Sequence, residues 1–256
     1  LGHNKVIKAP PIPTQKPYKS PPSEKICRIR LVFSKKSPMH LISHLDLIRG
    51  FERALRRSNL PVSFTGGYHP LPRIQVALAL PLGIQGYKEL MDIDFYQPVK
   101  PNFVKEELQK KLPVGIQIIS SNEIAINSPS LSQELRGAIW SFNLELNSKK
   151  HLSFEEWDQG INYLIKAKKL IWKDKDKKGR PRERDCRPAL EALFLKAELN
   201  LPKGKLSLRS IELELHAYID GMGRSLKPIQ IRHWLEDYFQ LPLNIKNMKR
   251  DELKLQ

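Results

Sequence analysis

The stretch from Ser43 to Arg73 reads SHLDLIRGFERALRRSNLPVSFTGGYHPLPR and predicts a helix followed by a glycine-rich loop. We expect the helix to begin at Ser43, where Asp46 completes a capping box, and to stop near Ser58, before Pro61. Its apolar residues recur at helical spacing and predict one buried face. They are Leu47, Ile48, Phe51, Ala54 and Leu55.

The opposite face of this helix is basic, and we call its four arginines the arginine ridge. They are Arg49, Arg53, Arg56 and Arg57. Four guanidiniums on one ridge repel each other unless an anion lies across them. The chain has 44 Lys+Arg against 27 Asp+Glu, a formal net charge of +17, which favours phosphate-bearing partners. A solvated surface is the alternative. A membrane surface is less favoured, because no helix pairs a basic face with exposed Trp or Phe.

The loop after the helix reads GGYHPLPR and covers residues 66–73. The adjacent glycines Gly66 and Gly67 permit close backbone approach, so their amides can face a phosphate. Tyr68 and His69 can stack on bases, and Arg73 can pair with a phosphate. The alternative is an ordinary turn stiffened by two prolines. Because a basic helix precedes it, we favour a nucleotide-sized pocket.

Three histidines are candidates for chemistry. His40 and His69 lie in predicted loops, and His44 lies on the apolar side of the helix. Imidazole titrates near neutral pH, so these groups can act as general acid and base on an RNA 2′-hydroxyl. The alternatives are a core histidine bonded to a backbone carbonyl and loop histidines that stack on bases. Their spacing matches no familiar metal-ligand set.

A second basic segment, KDKDKKGRPRERDCR, covers residues 173–187. Its basic residues resemble a flexible arm that grips phosphates. They include Lys177, Lys178, Arg180, Arg182 and Arg184. Acidic residues alternate with them, however, and a solvated mixed-charge hairpin explains the segment equally well.

The chain divides into three parts by composition and pattern. Residues 1–24 contain six prolines and predict an extended linker. Residues 25–127 then follow the order strand, helix, strand, strand, helix, strand, which is typical of a ferredoxin-like domain. The predicted elements are strands 29–33, 74–80, 90–95 and 116–120, with helices 43–58 and 103–112.

Residues 128–256 appear in the same element order. The predicted elements are strands 139–146, 170–173, 190–199, 211–218 and 243–248, with helices 154–167 and 228–239. Ser153 and Glu156 predict a capping box for the first of these helices. Four aromatic residues occupy apolar positions and are expected in the core: Phe194, Trp234, Tyr238 and Phe239. The sequence therefore predicts an α+β protein of two tandem ferredoxin-like (βαββαβ) domains with antiparallel sheets.

Several classes of protein are disfavoured. The two cysteines, Cys27 and Cys186, form no CxxC pair, so a disulfide scaffold or a thiolate metal site is not expected. Few cysteines and no signal peptide are typical of a cytoplasmic protein, and no apolar run is long enough to span a membrane. The nucleotide-loop, metalloprotease and hydrolase motifs are absent, as is CxxxCxxC. We therefore expect no catalytic apparatus in this chain alone.

A resemblance adds to these predictions. The segment FSKKSPMHLISHLDLIRGFERALRRSNLP (residues 33–61) and the following GGYHPLPRIQVALALPLGI (residues 66–84) resemble a radical-SAM-linked bacterial domain family of unknown function. KKGRPRERDCRPAL (residues 177–190) resembles a second motif of that family, with Cys186 where an aliphatic residue is usual. The likeness covers roughly residues 28–250 of the chain.

The resemblance implies a partner. Members of the family occur alone or fused behind a cobalamin-binding radical SAM protein, often encoded near a ribonuclease of the E/G type and ribosomal proteins. An iron–sulfur cluster, S-adenosylmethionine and cobalamin would belong to that protein, in cis or in trans, because such a cluster needs three close cysteines. A proline-rich segment after the non-Met start is typical of a C-terminal piece of such a fusion.

Three hypotheses follow. The leading one is an RNA-binding, substrate-presenting domain that works with a radical SAM enzyme on tRNA, rRNA or a ribosome-associated target. The second is a metal-independent ribonuclease with His40 or His69 as general base. The third is a docking module for the radical enzyme. The sequence chooses neither the target nor the oligomeric state.

Overall fold

The alternation of apolar residues in strand β1 (Cys27–Lys35) places Ile29, Leu31 and Phe33 in the interior, on the face that packs against helices. The structure is a computed structural model, and it describes residues 22–176, 178–196, 207–220 and 224–256. Within them the chain forms an α+β fold with five α-helices and a large, mainly antiparallel sheet. The predicted fold class is confirmed at this level, and most of the proposed linker lies outside the described residues.

The first half of the fold repeats the predicted element order. After β1 come α1 (His44–Arg57), β2 (Ile74–Val76), β3 (Gln85–Phe95), α2 (Pro101–Gln109) and β4 (Ile116–Ile124). The strands lie in the spatial order β4-β1-β3-β2, and each neighbouring pair is antiparallel. Helices α1 and α2 cover one core, in which Phe33 and Phe51 meet edge to face at 5.1 Å between ring centroids.

The second half contains more elements than the first. They are α3 (Leu131–Glu134), β5 (Leu135–Leu146), β6 (Leu152–Ser153), α4 (Phe154–Lys166), β7 (Ile171–Lys175), β8 (Pro181–Asp185), β9 (Leu190–Lys196), β10 (Ser207–Leu208), β11 (Ser210–Tyr218), α5 (Pro228–Phe239) and β12 (Leu243–Leu255). The sheet order here is β12-β5-β11-β9, again antiparallel throughout. A parallel contact between β3 and β12 joins the halves into one sheet.

Two strand predictions are corrected by the pairing. The strand expected over residues 74–80 ends at Val76, because the carbonyls of Leu78 and Ala79 accept hydrogen bonds from Arg250 instead of a neighbouring strand. The strand expected over residues 170–173 lies outside the main sheet. It belongs to β7, which pairs with β8 in a separate two-stranded sheet.

The aromatic predictions are met in part. Trp234 is buried, and Phe239 packs against the core that α4 and α5 cover. Phe194, however, is 50% exposed, because it follows the buried Leu193 in β9 and so lies on the opposite face of the strand. Tyr238 is 39% exposed beside Tyr163. The predicted capping box of α4 is present, with Ser153 accepting from the backbone of Glu156 at 3.1 Å.

Candidate nucleic-acid interface

Helix α1 is anchored in a way that leaves the arginine ridge outward. Ser43 accepts a hydrogen bond from the backbone N–H of Asp46 at 3.1 Å and so caps the helix. The predicted capping box is only half formed, because the Asp46 carboxylate bonds the Ser43 hydroxyl rather than its backbone. The buried side chains of this helix are Leu47, Phe51, Ala54 and Leu55. All four ridge arginines are exposed on the other side.

The ridge arginines have few internal partners. Arg49 makes one long ion pair with Asp46, at 3.4 Å, and both groups are more than half exposed, so the pair is weak. Arg53 forms no hydrogen bond or ion pair with any described residue. Arg57 donates to the carbonyl of Lys111 at 2.9 Å, which leaves its full charge in solvent. Most of the cationic charge on this helix is therefore uncompensated.

Arg56 connects the ridge to the glycine-rich loop. Its Nη2 donates to the carbonyl of Pro70 at 2.6 Å, and its guanidinium lies 5.2 Å from the centroid of the Phe64 ring. The base of the loop is closed by two hydrogen bonds between Thr65 and Leu71. Ridge and loop therefore form one continuous surface.

The loop tip is open to solvent. Gly67 has φ +110°, a conformation that side chains with a Cβ rarely adopt, and nothing lies within 4 Å of a Cβ added there. Tyr68 is 57% exposed, and His69 is exposed beside it. Both rings are thus exposed to solvent, and their stacking on bases stays a prediction.

A cavity of about 240 Å³ lies beneath the root of the loop. Arg73 lines it, as does Thr65, but Gly66, Gly67, Tyr68 and His69 do not, so those four shape a surface rather than this pocket. The sequence predictions missed the other charged and polar residues in its wall. They are Lys25, Arg28, Gln75, Asp92 and Asp94. The alternation of charged residues on β1 and β3 is the sequence signal that could have revealed Arg28, Asp92 and Asp94, since Arg28 pairs with Asp94 at 2.7 Å across the two strands.

The three candidate histidines do not come together. His40 and His44 lie at the N-terminal end of α1, whereas His69 lies near its C-terminal end, next to Pro70. His44 and Arg56, the residue that bonds Pro70, are twelve positions apart on the helix, which is a rise of roughly 18 Å. Burial, with the nearby charges of Lys35 and Arg250, lowers the pKa of His44 and so favours the neutral imidazole. The arrangement gives no paired general acid and base.

A buried ionic cluster, which the sequence predictions also missed, stands behind the start of α1. Arg250 on β12 donates through Nε to Glu89 on β3 at 2.9 Å, and both side chains are almost fully buried. Lys35 donates to the carbonyl of Ile42 at 2.7 Å, and burial lowers its pKa. The cluster ties β1, β3 and β12 to the entry of α1, and therefore fixes the helix that carries the ridge.

The hairpin β7–β8 is basic in sequence, but three of its arginines pair with carboxylates of the same hairpin. Arg182 makes two hydrogen bonds to Asp174, at 2.8 and 2.9 Å, and Arg184 bonds the same carboxylate at 2.7 Å. Arg180 pairs with Asp176 at 2.9 Å. The Arg182 hydrogen bond is the main reason that the pKa of Asp174 is lowered.

Two lysines complete the predicted phosphate-gripping arm. Lys178 is exposed, and its backbone N–H bonds Asp176 at 2.8 Å, while Lys177 lies outside the described residues. With its arginines held by carboxylates, this segment resembles the solvated mixed-charge hairpin more than the arm.

The cysteines do not fit an iron–sulfur cluster. Cys27 lies in the core under α1 and α2, whereas Cys186 lies in the other core. Among the residues that the structure describes, no group of three His, Cys, Asp or Glu side chains is placed to hold a metal ion. None of the described helices is both long and apolar enough to cross a membrane.

Comparison with known proteins places the chain beside one family and several distant structures. A family model described as "Uncharacterized protein conserved in bacteria (DUF2344)" matches residues 28–228. No curated protein sequence matches the chain.

Three solved structures share part of its backbone arrangement. A Cbf5-Nop10-Gar1 complex is similar with a TM-score of 0.46 and 10% identity, over 90% of this chain and 49% of that chain. An H/ACA RNP bound to a substrate RNA containing 2′-deoxyuridine is similar with a TM-score of 0.44 and 9% identity, over 89% of this chain and 47% of that chain. An unknown protein from Galdieria sulphuraria is similar with a TM-score of 0.26 and 10% identity, over 86% of this chain and 97% of that chain. The chain spans about half the length of the first two, and none of these likenesses bears on its function.

Proposed function

The chain belongs to the bacterial family DUF2344, and from that premise we propose that it binds RNA and presents it to a radical SAM enzyme. The observation that carries the proposal is the continuous surface of ridge and loop. Exposed, mostly uncompensated arginines lie beside a loop tip with two available rings. Such a surface can bind phosphates through its guanidiniums and unpaired bases through its rings.

The architecture supports a binding domain. In each half, two helices connect four strands of the main sheet. When these four are numbered along the chain, they lie side by side in the order fourth, first, third, second: β4-β1-β3-β2 in the first half and β12-β5-β11-β9 in the second. We interpret the halves, residues 25–127 and 128–256, as tandem ferredoxin-like domains, with the β7–β8 hairpin inserted in the second. The ridge and the loop both belong to the first domain, and the buried cluster of Arg250 and Glu89 braces that domain against the second.

The radical chemistry is assigned to a partner. Two cysteines in separate cores cannot hold the three-thiolate cluster, so this chain supplies binding and orientation only. In the proposed complex, the iron–sulfur cluster, S-adenosylmethionine and cobalamin reside in the radical SAM protein, in cis or in trans. The substrate is tRNA, rRNA or a ribosome-associated target, and the setting is cytoplasmic.

The test is RNA binding as a function of salt. Purified protein is titrated with total tRNA and with rRNA fragments by filter retention, over roughly 50 to 300 mM salt. We expect the double variant Arg49→Ala/Arg53→Ala to bind more weakly and to lower the salt slope by about 1.5 units, because two phosphate contacts are lost. Lys149→Ala/Lys150→Ala, which removes two exposed lysines elsewhere, is the matched control.

Each outcome separates the hypotheses. An unchanged slope in the ridge variant would remove the ridge from the interface. Cleaved RNA with 2′,3′-cyclic phosphate ends in EDTA would favour the ribonuclease with His40 or His69 as base. Binding no tighter than that of a charge-matched control would leave the docking module. Two exposed leucines, Leu41 and Leu82, favour that module. They lie next to the hydrogen bond between His40 and Gly83.

A further inference from the structure

A second cavity lies in the C-terminal half, away from the ridge. Its volume is about 420 Å³, within the range of pockets that bind small ligands. One wall is the segment that ends β8 and turns into β9, which includes Pro188. The other wall includes Ile219, just after β11, and Leu226, just before α5. Two distant parts of the sequence thus enclose one mainly apolar space.

An aromatic ring stands at this cavity. Tyr218, the last residue of β11, lines it and is 50% exposed, although tyrosine has a large apolar ring. A half-exposed ring beside apolar walls gives a planar ligand a surface on which to stack. Stacking of a base on an aromatic side chain is favourable for every base, since each has a π face.

Two guanidiniums complete the lining. Arg224 donates through Nε to Asp220 at 2.7 Å, and Arg184 donates through Nη2 to Asp174 at 2.7 Å. Each arginine has five N–H donors, so one carboxylate partner holds the group in place while other donors stay available. The Nε of Arg184 is buried and has no hydrogen-bond partner among the described residues, which is unfavourable for a charged donor.

The remaining polar groups shape the cavity rather than fill it. The carboxylate of Asp185 accepts backbone hydrogen bonds from Leu170 and Arg187, both at 2.9 Å, and these fix the β8 end of the wall. Burial raises the pKa of Cys186, so its side chain stays a neutral thiol and adds to the apolar lining.

We infer that this cavity binds a nucleotide, with the base against Tyr218 and the phosphate at Arg184 and Arg224. Ring and guanidiniums match the two chemically distinct ends of that ligand. The nucleotide can be free or can be one unit of an RNA chain. The inference does not depend on the arginine ridge, because none of the ridge residues lines the cavity.

The test measures binding of defined probes to the full chain. AMP, GMP, CMP and UMP are titrated separately by calorimetry, and a hexauridylate RNA is titrated in parallel. We expect one site for at least one mononucleotide, and about tenfold weaker binding in Tyr218→Ala and in Arg224→Ala. Both side chains are about half exposed, so neither substitution empties the core.

Two matched variants serve as controls. Tyr163→Ala removes a tyrosine that is 54% exposed on α4, and Arg209→Ala removes an arginine that pairs with a surface carboxylate, as Arg224 does. Neither residue lines the cavity, and we expect neither change to alter binding. Alkylation of Cys186, followed by peptide mass spectrometry, should be slowed by bound nucleotide, whereas alkylation of Cys27 should not.

The outcomes distinguish the source of the ligand and the fate of the proposal. RNA binding that Tyr218→Ala weakens, without mononucleotide binding, would assign the site to a unit of the RNA chain. The inference is overturned if no mononucleotide binds up to roughly 10 mM and Tyr218→Ala leaves RNA affinity unchanged. Equal weakening by Tyr218→Ala and Tyr163→Ala would overturn it as well.

Discussion

The arginine ridge and the β7–β8 hairpin are both arginine-rich in sequence, yet their charges have opposite fates. On the helix, the arginines recur every three or four residues and therefore face the same way, with Asp46 as their one ion-pair partner in the described structure. In the hairpin, strand pairing places Asp174 directly opposite Arg182. The geometry of the element decides whether a basic segment presents its charge or neutralises it.

This difference makes net charge a poor guide to where an anion binds. The formal charge of +17 is shared by both regions. Asp46 is the one carboxylate that pairs with the ridge in the described structure, whereas Asp174 alone holds two of the hairpin guanidiniums. An RNA phosphate at the hairpin would have to share Arg182 and Arg184 with Asp174, whose negative charge opposes that of the phosphate.

The largest predicted effect concerns Arg250, an arginine that lies in the protein interior rather than on the ridge or the hairpin. We expect Arg250→Met to lower the free energy of unfolding by about 3 to 5 kcal/mol, because Glu89 is left buried and unpaired. Urea denaturation measures it. Arg182→Ala, which breaks a surface pair, should leave the urea midpoint close to that of the wild type. The double variant Glu89→Gln/Arg250→Met should recover part of the loss, and equal midpoints for Arg250→Met and wild type would contradict the role of this cluster.

The next prediction compares the two regions at equal change in charge. Arg53→Glu and Arg180→Glu each replace one exposed arginine by a carboxylate. We expect Arg53→Glu to weaken RNA binding by about tenfold at low salt, since an uncompensated contact becomes repulsive. Arg180 already pairs with Asp176, so its reversal should change affinity by about twofold or less. Equal losses in filter retention would break the distinction between ridge and hairpin.

A third substitution should make the hairpin behave more like the ridge. Asp174→Asn removes the carboxylate that holds both Arg182 and Arg184. We expect RNA to bind about two- to fivefold more tightly, because a carboxylate that competes with phosphate for two guanidiniums is removed. Asp158→Asn, at an exposed position on α4, makes the same change in net charge and is the control. If both variants gain equally, the gain reflects net charge rather than release of the hairpin arginines.

Local features of the fold were predictable from the sequence because their causes are local. The cap at Ser43 and the apolar spacing of α1 depend on residues within one or two turns. The exposure of the ridge follows from the same spacing. The strand around Ile29 could be recognised from alternation alone. The end of β2 could not, because it depends on Arg250, about 170 positions away, whose guanidinium takes the carbonyls of Leu78 and Ala79.

The candidate sites divide in the same way. The loop from Gly66 to Arg73 could be identified from its composition, and Arg56 reaches it across a short sequence distance. The cavity at Tyr218 could not, since its walls come from two strand ends that become neighbours only in the folded sheet. To predict that the hairpin arginines pair with carboxylates, one also needs the strand register, because the register decides which acidic residue lies opposite which basic one.

The smallest predicted effect is a pKa, and it tests the comparison in solution. The Arg182 hydrogen bond lowers the pKa of Asp174 below its usual range. A lowered acid pKa means that the pair stabilises the hairpin above the unfolded pKa of about 3.9, and that this contribution is lost as pH falls through the folded value. NMR titration of the side-chain carboxyl should give a midpoint below the usual one, and Arg182→Ala should raise it. An ordinary midpoint for Asp174 would mean that the hairpin arginines are free, and that RNA can use them as readily as the ridge.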